Sequence, residues 1–359
     1  MTHKAVKTAL YAAAASAVYL GLGNLLYSQI LSRKAAVRGF AGWPPQAVID
    51  GAPAALPESF ADKLAAKITG QGSGMEGFFG APYFPVFQAG VRWFFERNPE
   101  KATIASPRGG CVHAEKILSE KPSDLWLICL HGYTSCPWAN GAPAKAFYGW
   151  GFNILLPHLC GHPGSEDSFV SMGWLDRLDV LAWIEHLIRE NPQAKIVLYG
   201  ASMGAAAVMM TTGEKLPGNV VCAIEDCGFT SLWDLLCTPA KQALRSGALV
   251  CAGLYALDAV TRLRTGFSIR EASCVEQLKK SATPTLFIHG DADRGVPVWM
   301  LQKLYDAAAC EKEMLIVPGA DHGEAMYHPE LFYGAIRKFL DIHLNEISQP
   351  REYTEGAFP

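Results

Sequence analysis

The spacing of apolar and polar positions divides the chain into three stretches of different character. Thr8 to Ser32 carries no charged residue and is built largely of Ala, Leu, Tyr and Gly. As a helix rising about 1.5 Å per residue it would exceed the roughly 30 Å hydrocarbon core of a bilayer. Residues 1–34 are therefore expected to form a single-pass membrane anchor. A cleaved signal peptide, which would release a secreted protein, is the rival because Lys4 and Lys7 make a basic leader. Arg33, Lys34 and Arg38 flank the other end, so the charges do not fix which side of the membrane the remainder faces. From Gly42 to about Asn98 the chain is broken by Pro and Gly, and residues 35–100 read as a linker or wrapping segment with short helices such as Pro57 to Ile68.

Beyond residue 100 short apolar runs alternate with helical patterns, the signature of βαβ units. Strands are expected at Ala102–Ala105 and Cys111–Leu118, joined by a hairpin at Pro107 to Gly110, and then at Leu125–Leu130, Phe152–Leu156, Lys195–Tyr199, Val220–Ile224, Thr285–Ile288 and Met314–Val317. Continuous apolar runs of this length fit strands covered on both faces. Helices are expected at Trp174–Arg189, which ends at Asn191-Pro192, at Met203–Thr212 and at Pro329–Leu344. The pattern predicts an α/β domain over 101–346 with an eight-stranded, mostly parallel sheet flanked by helices. A helical insertion of mixed polarity at about 228–281 reads as a small cap, and 347–359 as a C-terminal tail.

Composition changes this picture little. Half of the 359 residues are hydrophobic and 18% are charged, enough for a large core and unlike a disordered chain. A formal net charge of −3 with no long basic run argues against nucleic acid as a partner. The ten cysteines include no CxxC pair, and Cys129 and Cys222 lie in apolar stretches, so they read as free thiols.

One strand carries chemistry. Ile196 to Tyr199 runs directly into Gly200-Ala201-Ser202-Met203-Gly204 and then into a helix rich in small residues. A serine on so sharp a strand-to-helix turn is presented at the sheet edge, and the flanking glycines let strand and helix approach closely. A serine hydroxyl needs a base, and the base needs a carboxylate to orient it. His322, in the loop after the last strand, is the candidate base, with His328 as competitor. Asp293, after the penultimate strand, is the preferred acid; Asp291 and Asp226 are the alternatives.

With the order Ser202, Asp293, His322, the chain from about Thr103 to Leu344 resembles the α/β-hydrolase superfamily, in the branch shared by bacterial acyl esterases and serine aminopeptidase-like hydrolases. His131-Gly132-Tyr133 resembles that family's oxyanion loop, so the resemblance implies an oxyanion hole made by the backbone N–H groups of Tyr133 and Met203. The loop from His158 to Ser165 departs from the family by lacking an arginine before Gly-His-Gly. His158, Cys160 and His162 there have metal-ligand chemistry, but they read as loop scaffold, and neither a metal nor an organic cofactor is expected. Phe229, Trp233, Leu254 and Tyr255 of the cap are the candidates for an acyl pocket. The reading that follows is a serine hydrolase cleaving small or lipid-like carboxylic esters through an acyl-enzyme. The alternatives are an aminopeptidase-like serine peptidase and an inactive binding module on the same fold.

Overall fold

The computed structural model describes residues 3–36, 45–50 and 83–344; the expected helix at Pro57–Ile68 and the tail at 347–359 lie outside them. Eight strands form one sheet: β1 (Glu100–Ala105), β2 (Cys111–Ile117), β3 (Leu125–Leu130), β4 (Asn153–Pro157), β5 (Lys195–Ala201), β6 (Val220–Asp226), β7 (Thr285–Gly290) and β8 (Lys312–Val317). Their order is β1-β2-β4-β3-β5-β6-β7-β8, with β2 antiparallel to both neighbours and the other pairs parallel. This is the mostly parallel α/β-hydrolase architecture that the alternation of strands and helices predicts, with strand ends within about two residues of expectation.

The helices described are α1 (His3–Ile30), α2 (Arg33–Ala36), α3 (Pro45–Asp50), α4 (Phe84–Glu96), α5 (Gly141–Gly149), α6 (Asp176–Glu190), α7 (Met203–Thr212), α8 (Leu232–Leu244), α9 (Gly247–Thr265), α10 (Cys274–Leu278), α11 (Trp299–Ala307) and α12 (Pro329–Leu344). Side chains alternate across the strands, so each strand feeds two cores. Ile128, Leu198, Ala223 and Phe287 meet α6, α7, α10 and α11 on one face. Leu127, Val197, Ile224 and Ile288 meet α4, α5 and α12 on the other. Helix α7 is buried along its whole length, as its run of Ala, Val and Met requires. Helices α8 and α9 form the cap, each opened by a serine whose side chain accepts a backbone N–H of the first turn.

The expected membrane anchor finds no support in the N-terminal segment. Among the described residues no helix is long and apolar enough to cross a membrane. The last third of α1 is docked on the cap instead: Tyr27 and Leu31 are buried, and a Cβ on Gly23 would lie 2.2 Å from the Ala256 carbonyl oxygen of α9. Leu26 and Ile30 pack against the same core, while Val18, Leu22 and Leu25 are exposed.

Helix α4 is held equally closely. A Cβ on Gly90 would meet the Ala142 backbone nitrogen at 2.4 Å, and one on Gly141 the Gly90 carbonyl oxygen at 2.2 Å, so α4 and α5 touch backbone to backbone. Gly90→Val is expected to force them apart at a cost of about 1–3 kcal/mol, the usual penalty of overpacking. A thermal or urea melt beside a Gly149→Val control, at an open position, checks this. Equal stability of the two variants would contradict the close packing.

Candidate active site

Ser202 sits between β5 and α7 with φ 55° and ψ −114°, a conformation that a non-glycine residue holds only when its surroundings enforce it. The enforcement comes from two glycines. A Cβ on Gly204 would lie 2.1 Å from the Leu130 carbonyl oxygen at the end of β3, and one on Gly200 would lie 2.3 Å from the Gly204 carbonyl carbon and oxygen. The Ser202 N–H also donates to the Asp226 carbonyl oxygen at 2.8 Å, tying the turn to β6.

The structure brings together the three residues singled out for nucleophilic chemistry. Ser202 Oγ lies 2.9 Å from His322 Nε2, and His322 Nδ1 lies 2.8 Å from Asp293 Oδ2. With Nδ1 protonated and donating to the carboxylate, Nε2 accepts the serine proton. Burial raises the Asp293 pKa, but hydrogen bonds from His289 and His322 outweigh it and hold the carboxyl well below the usual range. Its other oxygen accepts the N–H groups of Gly295 and Val296 at 2.8 and 2.7 Å. Burial lowers the His322 pKa, and the bond to Asp293 more than restores it, leaving the imidazole above its ordinary value.

The alternative acids are occupied elsewhere. Asp291 Oδ1 accepts the Gly319 N–H at 2.7 Å and braces a turn. Asp226 is fully buried and accepts from the Tyr199 hydroxyl at 3.2 Å; burial raises its pKa to about 6. His328 lies at the end of a short turn before α12.

The loop 131–135 runs beside the nucleophile, and a Cβ on Gly132 would be 3.6 Å from that of Ser202. Two buried histidines hold this loop. His131 Nδ1 donates to the Gly132 carbonyl at 2.9 Å and its Nε2 accepts the Leu159 N–H at 3.2 Å. His162 Nδ1 donates to the Cys160 carbonyl at 3.1 Å and its Nε2 accepts the Thr134 N–H at 3.1 Å. Each ring thus has one donor and one acceptor nitrogen, which is the neutral form. Burial stabilises it, lowering His131 far below its ordinary pKa and His162 to about 4. His158 pairs with Glu115, and the Cys160 thiol donates to the Phe169 carbonyl, so these residues do not converge on a common ligand. Among the described residues the one grouping with metal-binding geometry is Cys227, Asp293 and His322, two of which already bond to each other.

A cavity of about 290 Å³ opens over Ser202, lined by Gly132, Tyr133 and Cys227 and walled by Tyr83, Phe87, Met326 and Tyr327. Phe229 and Leu254 are buried in the main core, and Trp233 packs on Tyr255 with ring centroids 5.2 Å apart; none of the four lines the cavity. The walls come from the start of α4 with the residue before it, and from the turn after His322. Tyr83 and Tyr327 stack there at 4.4 Å. Sequence reading assigned no chemistry to the first of these segments and overlooked Gly295, where a Cβ would press on the His322 ring at 3.1 Å.

Residues 142–346 match the prolyl oligopeptidase family. The protein YqkD of Bacillus subtilis is 26% identical over 252 residues, which cover 69% of this chain and 81% of that one. YfhR of Escherichia coli is 25% identical over 199 residues, 54% of this chain and 62% of that one, so the match spans less than two thirds of this second relative. Among solved structures, an esterase of Pyrococcus furiosus shares the fold with a TM-score of 0.55 at 20% identity, covering 68% of this chain and 91% of that one. An acylaminoacyl peptidase of Pyrococcus horikoshii does so with a TM-score of 0.50 at 19% identity, covering 72% and 42%.

Beneath the site lies Glu225, fully buried at the end of β6, where burial raises its pKa to about 8 from 4.5. Between those values the folded chain keeps a proton that the unfolded chain has released, so stability falls as pH rises through that window. Glu225→Gln removes the dependence. The variant's stability advantage over wild type is expected to grow between pH 5 and pH 8 by on the order of 4 kcal/mol, read from urea unfolding. An advantage that does not change with pH would refute the buried, protonated carboxyl.

Proposed function

The chain belongs to the prolyl oligopeptidase family, and from that premise we propose that this serine hydrolase of α/β-hydrolase fold cleaves carboxylic esters with small or lipid-like acyl groups. The observation that carries the serine chemistry is the unbroken relay Ser202–His322–Asp293, with both contacts under 3 Å. Ser202 Oγ attacks the ester carbonyl carbon while His322 Nε2 takes the hydroxyl proton. The negative charge that gathers on the carbonyl oxygen is received by the backbone N–H groups of Tyr133 and Met203, donors typically worth about 2.7–4 kcal/mol each. His322 then protonates the leaving alcohol, and water, deprotonated by the same nitrogen, releases the acid from the acyl-enzyme.

The preference for esters rests on the cavity wall, where Phe87, Ala139 and Met326 suit an apolar acyl chain. Each fully buried methylene contributes about 0.8 kcal/mol. A second reading, a peptidase that grips a substrate ammonium, is favoured by one feature: Glu324 brings a carboxylate to the cavity.

Ser202→Ala is expected to lower turnover roughly 10⁴–10⁶-fold and to abolish labelling by a fluorophosphonate, with the fold intact. Near-normal turnover would end the serine mechanism. Asp293→Asn should cost on the order of 10⁴-fold, whereas Asp291→Asn and Asp226→Asn keep most activity; a greater loss from Asp226→Asn would move the acid to β6. Comparison of kcat/KM for p-nitrophenyl esters of rising chain length with that for aminoacyl-anilides separates the two substrate classes. Faster anilide cleavage, lost in Glu324→Gln, would establish the peptidase instead.

A further inference from the structure

The end of α1 reaches the loop that lies against the nucleophile. The last carbonyls of a helix have no partner within it and must find one elsewhere. For Ile30 that partner is the Tyr133 hydroxyl, which donates to its carbonyl oxygen at 2.7 Å. The chain then continues as a strap across the loop after β4. Val170 N–H donates to the Leu31 carbonyl at 2.7 Å, Arg33 N–H to the Ser168 carbonyl at 2.9 Å, and Ser32 bridges Phe169. The Arg33 guanidinium donates to the carbonyls of Ser165 and Asp167 at 2.6 and 3.1 Å. This is the same loop that carries His162, the acceptor of the Thr134 N–H.

We propose that α1 is a brace for the oxyanion loop, fixing the Tyr133 backbone through the hydrogen bond from its side chain to Ile30. The proposal rests on the oxyanion role given to Tyr133 above. Thr134 supplies the reason a brace is needed. It is β-branched and sits at φ 56°, a strained conformation that persists only where neighbouring contacts over-determine it. His162 holds the Thr134 amide from one side, and Ile30 holds the preceding side chain from the other. Because Gly132 lies against Ser202, a shift of this loop moves the donors relative to the nucleophile, and misplacement of about 1 Å can cost about a hundredfold in rate. Tyr133 is thus a positioning residue through its side chain, and α1 its support.

The test uses the full chain and a double-mutant cycle. Tyr133→Phe removes the hydroxyl and keeps the backbone N–H. Gly23→Leu levers α1 off α9, since a side chain there meets the Ala256 carbonyl. Gly21→Leu places the same side chain where nothing lies within 4 Å. Tyr133→Phe and Gly23→Leu should each lower kcat about tenfold while KM changes less than about twofold. The double variant should be no worse than the more severe single one, because both break one link. Gly21→Leu should keep wild-type kcat. If Gly23→Leu does not fold, Arg33→Gln, which releases the strap, takes its place in the cycle. Losses that multiply, a change confined to KM, or wild-type kcat in Tyr133→Phe would overturn the brace. Those results together with an inactive Ser202→Ala would leave the serine mechanism standing, whereas an active Ser202→Ala would remove both.

Discussion

The carbonyl oxygen of Leu130 occupies the space that any side chain at position 204 would need. That single backbone contact, between the end of β3 and the first turn of α7, sets how closely the helix approaches the sheet at the edge where Ser202 stands. It also seats α7 deep enough for its whole length to be covered. The left-handed backbone of Ser202 is the consequence, at a cost of about 1–3 kcal/mol. The two cores on either side of the sheet offset it. What the rigid contact provides is registry: the loop at 131–135, the serine and the Asp226 carbonyl that accepts its N–H all hang from the same corner.

Charge around this corner is arranged by burial as much as by pairing. Asp293 accepts from two imidazoles and two backbone N–H groups and stays ionised, while Glu225 on the neighbouring strand holds its proton. His131 and His162, a few residues away in space, are neutral and serve as acceptors for backbone N–H groups. The same side-chain type therefore bridges a carboxylate and a serine at position 322 and is an uncharged strut at positions 131 and 162. The surroundings, not the residue, decide which.

That distinction marks the boundary of what the sequence reveals. The turn at Gly200–Gly204 is legible because its chemistry is local: strand, sharp turn and helix follow one another, and the glycines needed are within four residues of each other. The end of α7 at Gly213 and the start of α12 at Pro329 are legible for the same reason, since a helix-stopping glycine and a helix-opening proline mark them. The cavity walls are not. Apolar spacing in the cap shows that Phe229 and Leu254 are hidden from water, but not what hides them, and here it is the core. The N-terminal segment shows the same limit: its apolar spacing does not reveal that the end of α1 packs against α9. Tyr83 and Phe87 lie in a stretch broken by Pro and Gly, where no pattern announces a wall; tertiary contacts, of Gly90 with α5 and of Tyr83 with Tyr327, put them over the serine.

The origin of those walls has a consequence for how the site can change. The family match begins at residue 142, and it contains Ser202, Asp293 and His322. Tyr83, Phe87 and the brace on Tyr133 all come from chain that precedes it. Ser202, Asp293 and His322 thus lie in the matched stretch, while the loop at 131–135 and one wall of the cavity lie in the chain before it. Substitution at Tyr83 or Phe87 can therefore reshape the cavity wall without touching those three side chains, provided α4 keeps a glycine where it crosses α5.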